Sequence, residues 1–430
     1  MNTGGWPSQL LVERSLDPIV LEDVGGAVDA GLTGALGDLR WAGDRIAVAA
    51  GSRGIDRIPE VVAAVVRFVR ARGGAPFVMP AMGSHGGATG EGQAAVLRAL
   101  GVEESTVGAP VVSSVEVVEV GATDDGLRVL AARDAVQAAG IILVNRIKPH
   151  TDFTSPIGSG LLKMAAIGLG KVEGAFACHR AASRLGHERV IRAVARWQIE
   201  RLRILAGVAL VEGPRHVLAR CAVLRPCDFE AREPELLAQA RAWMPGLPVP
   251  DIDVLVVDEI GKNISGAGMD TNVIGRGVDG LAFGEGAPRI GAIYARSLSP
   301  ESKGNAIGLG LADVVSARLV RGMDARATFM NALSALTPST VRVPMHFESD
   351  RECLEAAIRL ARVDDRLQAR IVRIPNTLCM DRFLVSAACG PDVAARTDMR
   401  VLGPPRPLTF DDTGNLDGGS AGFLVSGEGH

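Results

Sequence analysis

Short apolar, β-branched runs alternate along the chain with longer segments whose apolar residues recur at helical spacing. This alternation is typical of β-α-β units around a largely parallel sheet. The predicted strands are residues 45–50, 75–79, 140–144, 204–210, 252–257, 289–294, 340–343, 369–374 and 383–386, and the predicted helices are residues 58–72, 91–100 and 181–203. The pattern therefore predicts an α/β fold.

A proline-rich segment interrupts this pattern near the middle of the chain. Residues 244–250 contain three prolines and one glycine, a composition typical of a linker. We predict two α/β domains with mostly parallel sheets, residues 1–245 and 250–405, followed by a return or tail at 406–430. A cleft between two such domains is a usual place for a ligand.

Composition and charge narrow the class of protein. Hydrophobic residues make up 47% and charged residues 22%, and the formal net charge is -3. This mixture indicates a globular protein and gives no basic field for nucleic acid or anionic lipid. The apolar runs are strand-length and no secretory signal is visible, so we expect a cytoplasmic protein that binds a small molecule. The oligomeric state stays open.

The six cysteines are scattered and form no Cys-x-x-Cys pair. Their spacing argues against a disulfide framework and against a structural zinc ribbon. Buried thiols in a reducing compartment are the simplest interpretation. Cys178 alone attracts interest, because it lies beside His179.

Two histidines follow predicted strands in the first half of the chain. His85 lies in a glycine-rich loop at 82–89, and His150 follows Pro149 in a loop that also contains cationic residues. Loops at the carboxyl ends of parallel strands face the ligand crevice of an open α/β sheet. Both histidines are therefore candidates for chemistry, although a lone histidine is more often a simple hydrogen-bonded residue.

A lysine and a third histidine complete the candidate set. Lys163 has apolar neighbours, so burial could lower its pKa and make it nucleophilic, or its amine could reach solvent. The preceding Ser159 and Gly160 resemble an anion-binding turn at a helix start. His179 is predicted to precede a helix and could be a single ligand to a metal held mainly by another group.

These residues together resemble the nickel-pincer-dependent lactate racemase family and its wider group of 2-hydroxyacid racemases and epimerases. Family members are two-domain proteins of about this size, so the resemblance covers nearly the whole chain. The matching segments are Gly83-Ser84-His85, Pro149-His150, Ser159-Gly160-Leu161-Leu162-Lys163, His179 sixteen residues beyond that lysine, and Ser52-Arg53-Gly54.

The resemblance implies racemisation by transient oxidation of a 2-hydroxy acid. His85 and His150 would be the catalytic acid–base pair on opposite faces of the reacting carbon. A histidine pKa near neutrality suits both proton roles. Arg53 would hold the substrate carboxylate.

The resemblance also implies a cofactor, a nickel-pincer nucleotide (a pyridinium thiocarboxylate mononucleotide). Lys163 would carry it in a covalent link, with Ser159 and Gly160 in the cofactor-binding turn. His179 would complete the coordination of nickel. Lys148 or Lys171 are candidates to contact the cofactor phosphate.

The second half of the chain bears on the substrate. A dense polar stretch at 258–276 follows a predicted strand, and its residues Lys262 and Asn263 are candidate substrate ligands. They suggest a substrate with more polar groups than lactate, such as a sugar acid. Two other functions stay open: a divalent-metal-dependent hydrolase or lyase using the same histidines, and a non-catalytic two-domain protein that binds a small acid.

Overall fold

The computed structural model describes residues 5–51, 54–83, 85–284 and 286–417. The strands are β1 (Ser8–Arg14), β2 (Arg45–Ala50), β3 (Ala75–Pro80), β4 (Val117–Ala122), β5 (Arg128–Ala132), β6 (Gly140–Arg146), β7 (Ile204–Glu212), β8 (Leu218–Leu224), β9 (Asp251–Ile260), β10 (Arg289–Leu298), β11 (Val314–Ser316), β12 (Met345–Phe347), β13 (Ile371–Ile374), β14 (Arg382–Ser386), β15 (Met399–Val401) and β16 (Arg406–Pro407). The helices are α1 (Val24–Leu36), α2 (Ile58–Ala71), α3 (Gly90–Ala99), α4 (Glu104–Val107), α5 (Arg133–Gln137), α6 (Leu161–Lys163), α7 (Lys171–Leu185), α8 (His187–Arg201), α9 (Phe229–Trp243), α10 (Thr271–Ile274), α11 (Ala317–Arg321), α12 (Ala325–Ala335), α13 (Asp350–Leu360) and α14 (Gly390–Ala394).

The chain divides into two compact units. The N-terminal unit contains the described residues of Asp17–His150 and Ser155–Met244. The C-terminal unit contains those of Met1–Leu16, Thr151–Thr154 and Pro245–His430. The first strand and the short segment Thr151–Thr154 therefore belong to the C-terminal unit, whereas the predicted domain of residues 1–245 included both.

The N-terminal unit is built on a five-stranded sheet in the order β3-β2-β6-β7-β8. The first four strands are parallel and β8 is antiparallel to β7. Its inner strands are continuous apolar runs, as expected for parallel strands covered on both faces. Helix α2 begins with Pro59 in its first turn and packs a valine-rich face, including Val62 and Val66, into the core beside Val48 and Val144.

The order of the strands places a reversal between β2 and β6. The chain passes from β2 through α2 outward to β3, and it returns to the other side of β2 at β6 before continuing to β7. In open α/β sheets, ligands bind outside the carboxyl ends of the strands at such a reversal. The loops after β2, β3 and β6 are therefore the expected position of a ligand site.

The C-terminal unit has a nine-stranded mixed sheet in the order β12-β11-β10-β9-β13-β14-β1-β15, with β16 also paired to β1. The strands from β12 to β13 are parallel, and β14, β1, β15 and β16 join by antiparallel pairing. Strand β9 lies near the centre and is buried along most of its length. Together the units form the predicted α/β architecture with mostly parallel sheets.

Most predicted elements are confirmed within a few residues, and two are wrong. The strand predicted at 340–343 is instead the end of a 3-10 turn, Pro338–Val341, and the nearby strand is β12. The helix predicted at 181–203 is two helices, α7 and α8, separated by Gly186, whose φ of 82° ends α7. In the described part of the chain, no helix is both long and apolar enough to cross a membrane.

Candidate active site

The carboxyl edge of the N-terminal sheet brings the predicted residues onto neighbouring loops. Strand β3 leads directly into the loop that ends at His85, and β6 leads to His150. Between these two strands lies β2, which leads to Gly51. Arg53, the predicted carboxylate ligand, follows Gly51 but lies outside the described residues, so its role stays a prediction.

His150 and Lys163 are in direct contact. The lysine Nζ lies 2.5 Å from His150 Nε2, and both side chains are half-buried. The loop between them is closed at its base, because Lys148 and Ser159 exchange two backbone hydrogen bonds of 2.8 Å each. An amine and an imidazole can share a hydrogen bond only if one nitrogen offers its lone pair. The pair can therefore pass a proton between its members.

The short helix that carries Lys163 begins at a glycine. Helix α6 continues into a π-helical turn, Met164–Gly168. Its N-cap residue, Gly160, has no side chain to accept the first N–H groups. Asn145, at the end of β6, donates from Nδ2 to the carbonyl of Gly160 at 2.8 Å. This bond joins the turn to the strand that leads to His150.

The missing cap is supplied by Glu233 of helix α9. Its Oε2 accepts the N–H of Leu162 at 2.9 Å, and its carboxyl group also accepts the N–H of Leu161. The Glu233 side chain is fully buried, and burial raises the pKa of its carboxyl group to about 7. A carboxyl group of this protein thus occupies the donors that the Ser159-Gly160 sequence was predicted to offer to a cofactor anion.

The loop carrying His85 is held from below by a buried lysine. Lys171 is 1% exposed, and its Nζ donates to the carbonyl of Pro80 at 2.5 Å and to Gln93 Oε1 at 3.3 Å. The Gln93 amide in turn donates to the carbonyls of Met82 and Gly83 at 3.1 and 2.9 Å. Three carbonyls at and just beyond the end of β3 are therefore fixed before the chain reaches His85.

The glycines of this loop allow it to approach helix α3 closely. His85 begins a 3-10 turn, His85–Ala88, in which Gly86 and Gly87 have φ of 64° and 66°. A Cβ on Gly86 would lie 2.2 Å from the backbone carbon of Gly92 on α3. The loop therefore packs onto α3 more closely than any side chain would permit.

Lys171 has the buried environment that was considered for Lys163. Desolvation lowers the pKa of Lys171 to about 8, whereas Lys163 itself is only half-buried. Sequence reasoning considered Lys171 only as a contact for the cofactor phosphate. Its donors point instead to Pro80 and Gln93, which supports a role in holding the loop. Its apolar neighbours in sequence were the available signal.

His179 lies within a helix, not before one. It is on α7, half-buried, and its ring centroid is 6.1 Å from that of His187 at the start of α8. Sequence reasoning missed His187, because the break at Gly186 that brings the two rings together was not predicted. The adjacent Cys178 is buried, and burial raises the pKa of its thiol to about 12. Such a thiol is unreactive.

The side chains present are compatible with the predicted cofactor. In the described chain, no group of three or more His, Cys, Asp or Glu side chains is arranged to hold a metal ion. A ligand that brings most of its own metal donors needs only one imidazole from the protein, and His179 or His187 could supply it. The amine of Lys163, next to a base, is suited to a covalent link. The donor set therefore fits a tethered metal cofactor.

The cationic side chain of Arg146, at the end of β6, is less available to an anion than its sequence context suggested. Arg146, the last residue of β6, forms an ion pair with Glu212 at the end of β7. The carboxylate of Glu212 also accepts the N–H of Asp56 at 3.1 Å. Arg146 is thus engaged in holding strand ends together, and the candidate anion ligands near this edge are reduced accordingly.

The predicted substrate ligands of the second half lie after β9 in the C-terminal unit. The Nζ of Lys262 donates to Asn331 Oδ1 at 2.9 Å, and Asn263 Oδ1 accepts from Ser299 at 2.6 Å. Lys262 is half-buried and Asn263 is exposed. Other polar residues of this stretch stabilise the unit itself: Arg276, for example, is paired with Asp313.

Comparison with known proteins gives a likeness in structure and none in sequence family. No family model matches the sequence, and no curated protein matches it. The structure is similar to that of the lactate racemase apoprotein from Thermoanaerobacterium thermosaccharolyticum, with a TM-score of 0.52 and 14% sequence identity. The likeness covers 86% of this chain and 98% of that chain. At this identity it establishes the fold.

Proposed function

We propose that this protein is an isomerase that racemises or epimerises a small 2-hydroxy acid. The observation that carries the proposal is the contact between Lys163 Nζ and His150 Nε2 at the carboxyl edge of the sheet. The amine that we propose as the covalent anchor therefore lies beside the imidazole that we propose as an acid–base group. His85 follows β3 at the same edge of the sheet. The lactate racemase-like fold supports the same class of reaction.

A nickel-pincer nucleotide bound at Lys163 would supply a reversible acceptor for the hydride on the substrate carbon. The residues of the chain would do the rest. Lys163 would hold the group, and an imidazole of His179 or His187 would bind the metal. The closed loop between Lys148 and Ser159 would keep the lysine beside His150.

His85 and His150 would move the proton of the 2-hydroxyl group. One imidazole would accept it from one face, and the other would return a proton after the planar carbon is reduced from the opposite face. The Lys171–Gln93 network would fix the loop that positions His85. Arg53 would bind the substrate carboxylate, and Lys262 and Asn263 would contact additional hydroxyl groups of a polar substrate.

The test is the intact mass and metal content of protein made in cells that synthesise the cofactor. We expect a covalent adduct on Lys163 and bound nickel, both lost in Lys163→Met, together with loss of optical activity of at least one acid in a panel of 2-hydroxy and sugar acids. His85→Ala and His150→Ala should keep the adduct and abolish turnover. Bound zinc with an unmodified lysine would instead favour a hydrolase or lyase.

A further inference from the structure

Glu233 combines features that a simple helix cap does not require. It is fully buried, and in the described part of the chain its Oε1 has no hydrogen-bond partner. A glutamine could accept the same N–H groups without the cost of burying an ionisable group. A buried ionisable group with one unsatisfied oxygen, bound to the turn that carries Lys163, therefore indicates a functional role.

The carboxyl group fixes the Lys163 turn from one side while β6 fixes it from the other. Its Oε2 binds the N–H of Leu162, and a Cβ on Gly160 would lie 2.3 Å from its Oε1. Asn145 holds the Gly160 carbonyl from β6, the strand that leads to His150. The position of Lys163 relative to His150 is therefore set by Glu233 and Asn145 together.

We infer that Glu233 is a positioning residue for Lys163, holding the turn so that the lysine amine stays against the imidazole of His150. This inference rests on the proposed function, in which Lys163 is the attachment point of the cofactor. An ionised carboxyl group accepts N–H groups more strongly than a protonated one. The amine is therefore held more firmly above neutral pH than below it.

One neighbouring charge opposes the effect of burial on the pKa of Glu233. Arg192 on α8 favours the ionised form of Glu233, although burial outweighs it. Arg192 is itself bonded to Glu188 and to Glu230, which lies one turn before Glu233 on α9. Burial is thus the cause of the raised pKa, and no neighbouring acid is needed to explain it.

The experiment measures the reactivity of the Lys163 amine. The chain has only five lysines, so limited acetylation with N-hydroxysuccinimidyl acetate can be read peptide by peptide by mass spectrometry. Exposed Lys303 serves as the internal standard. An amine held as a donor to the His150 imidazole keeps its lone pair available to the reagent. For unmodified wild-type protein we therefore expect the ratio of Lys163 to Lys303 labelling to rise about fivefold between roughly pH 6 and roughly pH 8.

Two variants test whether Glu233 causes that rise in Lys163 labelling. Glu233→Gln should abolish it, whereas Glu235→Gln, on the same helix but paired with Arg232 at the surface, should preserve it. A rise that persists in Glu233→Gln would show that a group other than Glu233 causes it and would overturn the inference. Loss of the rise in both variants would also overturn it, because the effect would then be unspecific destabilisation of α9.

A measurement on wild-type protein covers the case in which Glu233→Gln fails to fold. Infrared titration should show a buried protonated carboxyl band that disappears over the same pH range in which Lys163 labelling rises. Different midpoints would contradict the inference. Neither experiment uses substrate, nickel or nucleotide. A negative result in either would therefore contradict the role of Glu233 without affecting the isomerase proposal. Absence of turnover would, conversely, contradict the isomerase proposal without affecting the role of Glu233.

Discussion

Both units bury charged side chains. Those of the C-terminal unit form ion pairs with one another, whereas the buried Lys171 and Glu233 of the N-terminal unit bind uncharged groups. In the C-terminal unit, Arg296 bridges Asp258 at 2.7 Å and Asp350 at 2.6 Å, and Arg373 binds Asp258 at 2.9 Å. In the N-terminal unit, Lys171 donates hydrogen bonds to a carbonyl and to a side-chain amide, and Glu233 accepts hydrogen bonds from backbone N–H groups.

This difference decides which buried groups change their protonation state near neutral pH. Burial by itself would raise the pKa of Asp350, but Arg296 and Arg318 outweigh burial and lower it. At Lys171 and Glu233 burial outweighs the opposing charges of Asp134 and Arg192, and it moves the two pKa values to about 8 and about 7. The paired charges thus keep one state, while the unpaired ones lie beneath the two loops of the candidate site and can change state.

The largest effect is expected from breaking the paired network. Asp350 is fully buried and accepts from Arg296, Arg318 and the Tyr294 hydroxyl. Asp350→Asn removes the carboxylate that Arg296 and Arg318 share and leaves the buried Arg296 only its pair with Asp258, so the free energy of unfolding should fall by about 3–5 kcal/mol. Urea unfolding followed by circular dichroism measures the loss.

The matched control for this substitution is another aspartate of the same unit that is paired at the surface. Asp392 binds Arg370 at 2.8 Å and is 38% exposed. Asp392→Asn should cost about 0–1 kcal/mol, because solvent screens such a pair. Equal losses for the two variants would show that burial does not distinguish these ion pairs.

The next effect concerns Lys171 and depends on pH. Its folded pKa is lowered, so between about pH 8 and about pH 10.5 the unfolded chain binds a proton that the folded chain has released. Stability should therefore rise with pH in this window, by up to about 3 kcal/mol in wild-type protein relative to Lys171→Met. The free energies of unfolding at both ends of the window give the answer, and parallel pH profiles would refute it.

Lys171→Met also separates the two roles of this lysine. The variant leaves the carbonyl of Pro80 without its donor at every pH, which is a constant cost and does not alter the slope. Loosening of the loop should lower turnover by the loaded enzyme. It should leave the acetylation ratio of Lys163 unchanged, since that amine is held by α6 and not by β3.

A smaller effect is expected at His150. While the Lys163 amine is bonded to Nε2, this nitrogen is shielded from reagents. Lys163→Met should raise the rate of diethyl pyrocarbonate modification of His150 by about threefold. Lys303→Met is the control, because Lys303 is exposed and distant in sequence. An unchanged rate in Lys163→Met would show that the amine does not cover the imidazole.

The smallest effect is predicted for Cys178. Burial keeps its thiol protonated, with a pKa of about 12, so iodoacetamide should modify exposed Cys227 and leave Cys178 intact at neutral pH. Cys178→Ala should change turnover by less than about twofold. A large loss of nickel in this variant would instead assign the thiol to the metal site.

Much of the candidate site could be predicted because its residues follow strands. Apolar runs such as β2 and β6 are visible in sequence, and parallel pairing places their carboxyl ends at one edge. The loops of His85 and His150 were located by this reasoning. The pairing of His179 with His187 was not, because the helix break at Gly186 has no local signal beyond one glycine.

The groups that support the site were beyond the reach of sequence. Glu233 lies 71 positions from the N–H that it caps, and Lys171 lies 91 positions from the carbonyl that it binds. No local spacing rule connects residues so far apart. The interpretation of Ser159 and Gly160 as an open anion turn missed Glu233 for this reason.

The sequence by itself determined the alternation of strands and helices, the α/β class and the loops that carry the candidate histidines and lysine. Those features follow from hydrophobic periodicity and from backbone preferences, which act over a few residues. Only the tertiary structure decided which buried charges find a partner. Pairing and desolvation depend on groups that folding brings together. Beneath the candidate active site, folding brings Lys171 and Glu233 against uncharged partners.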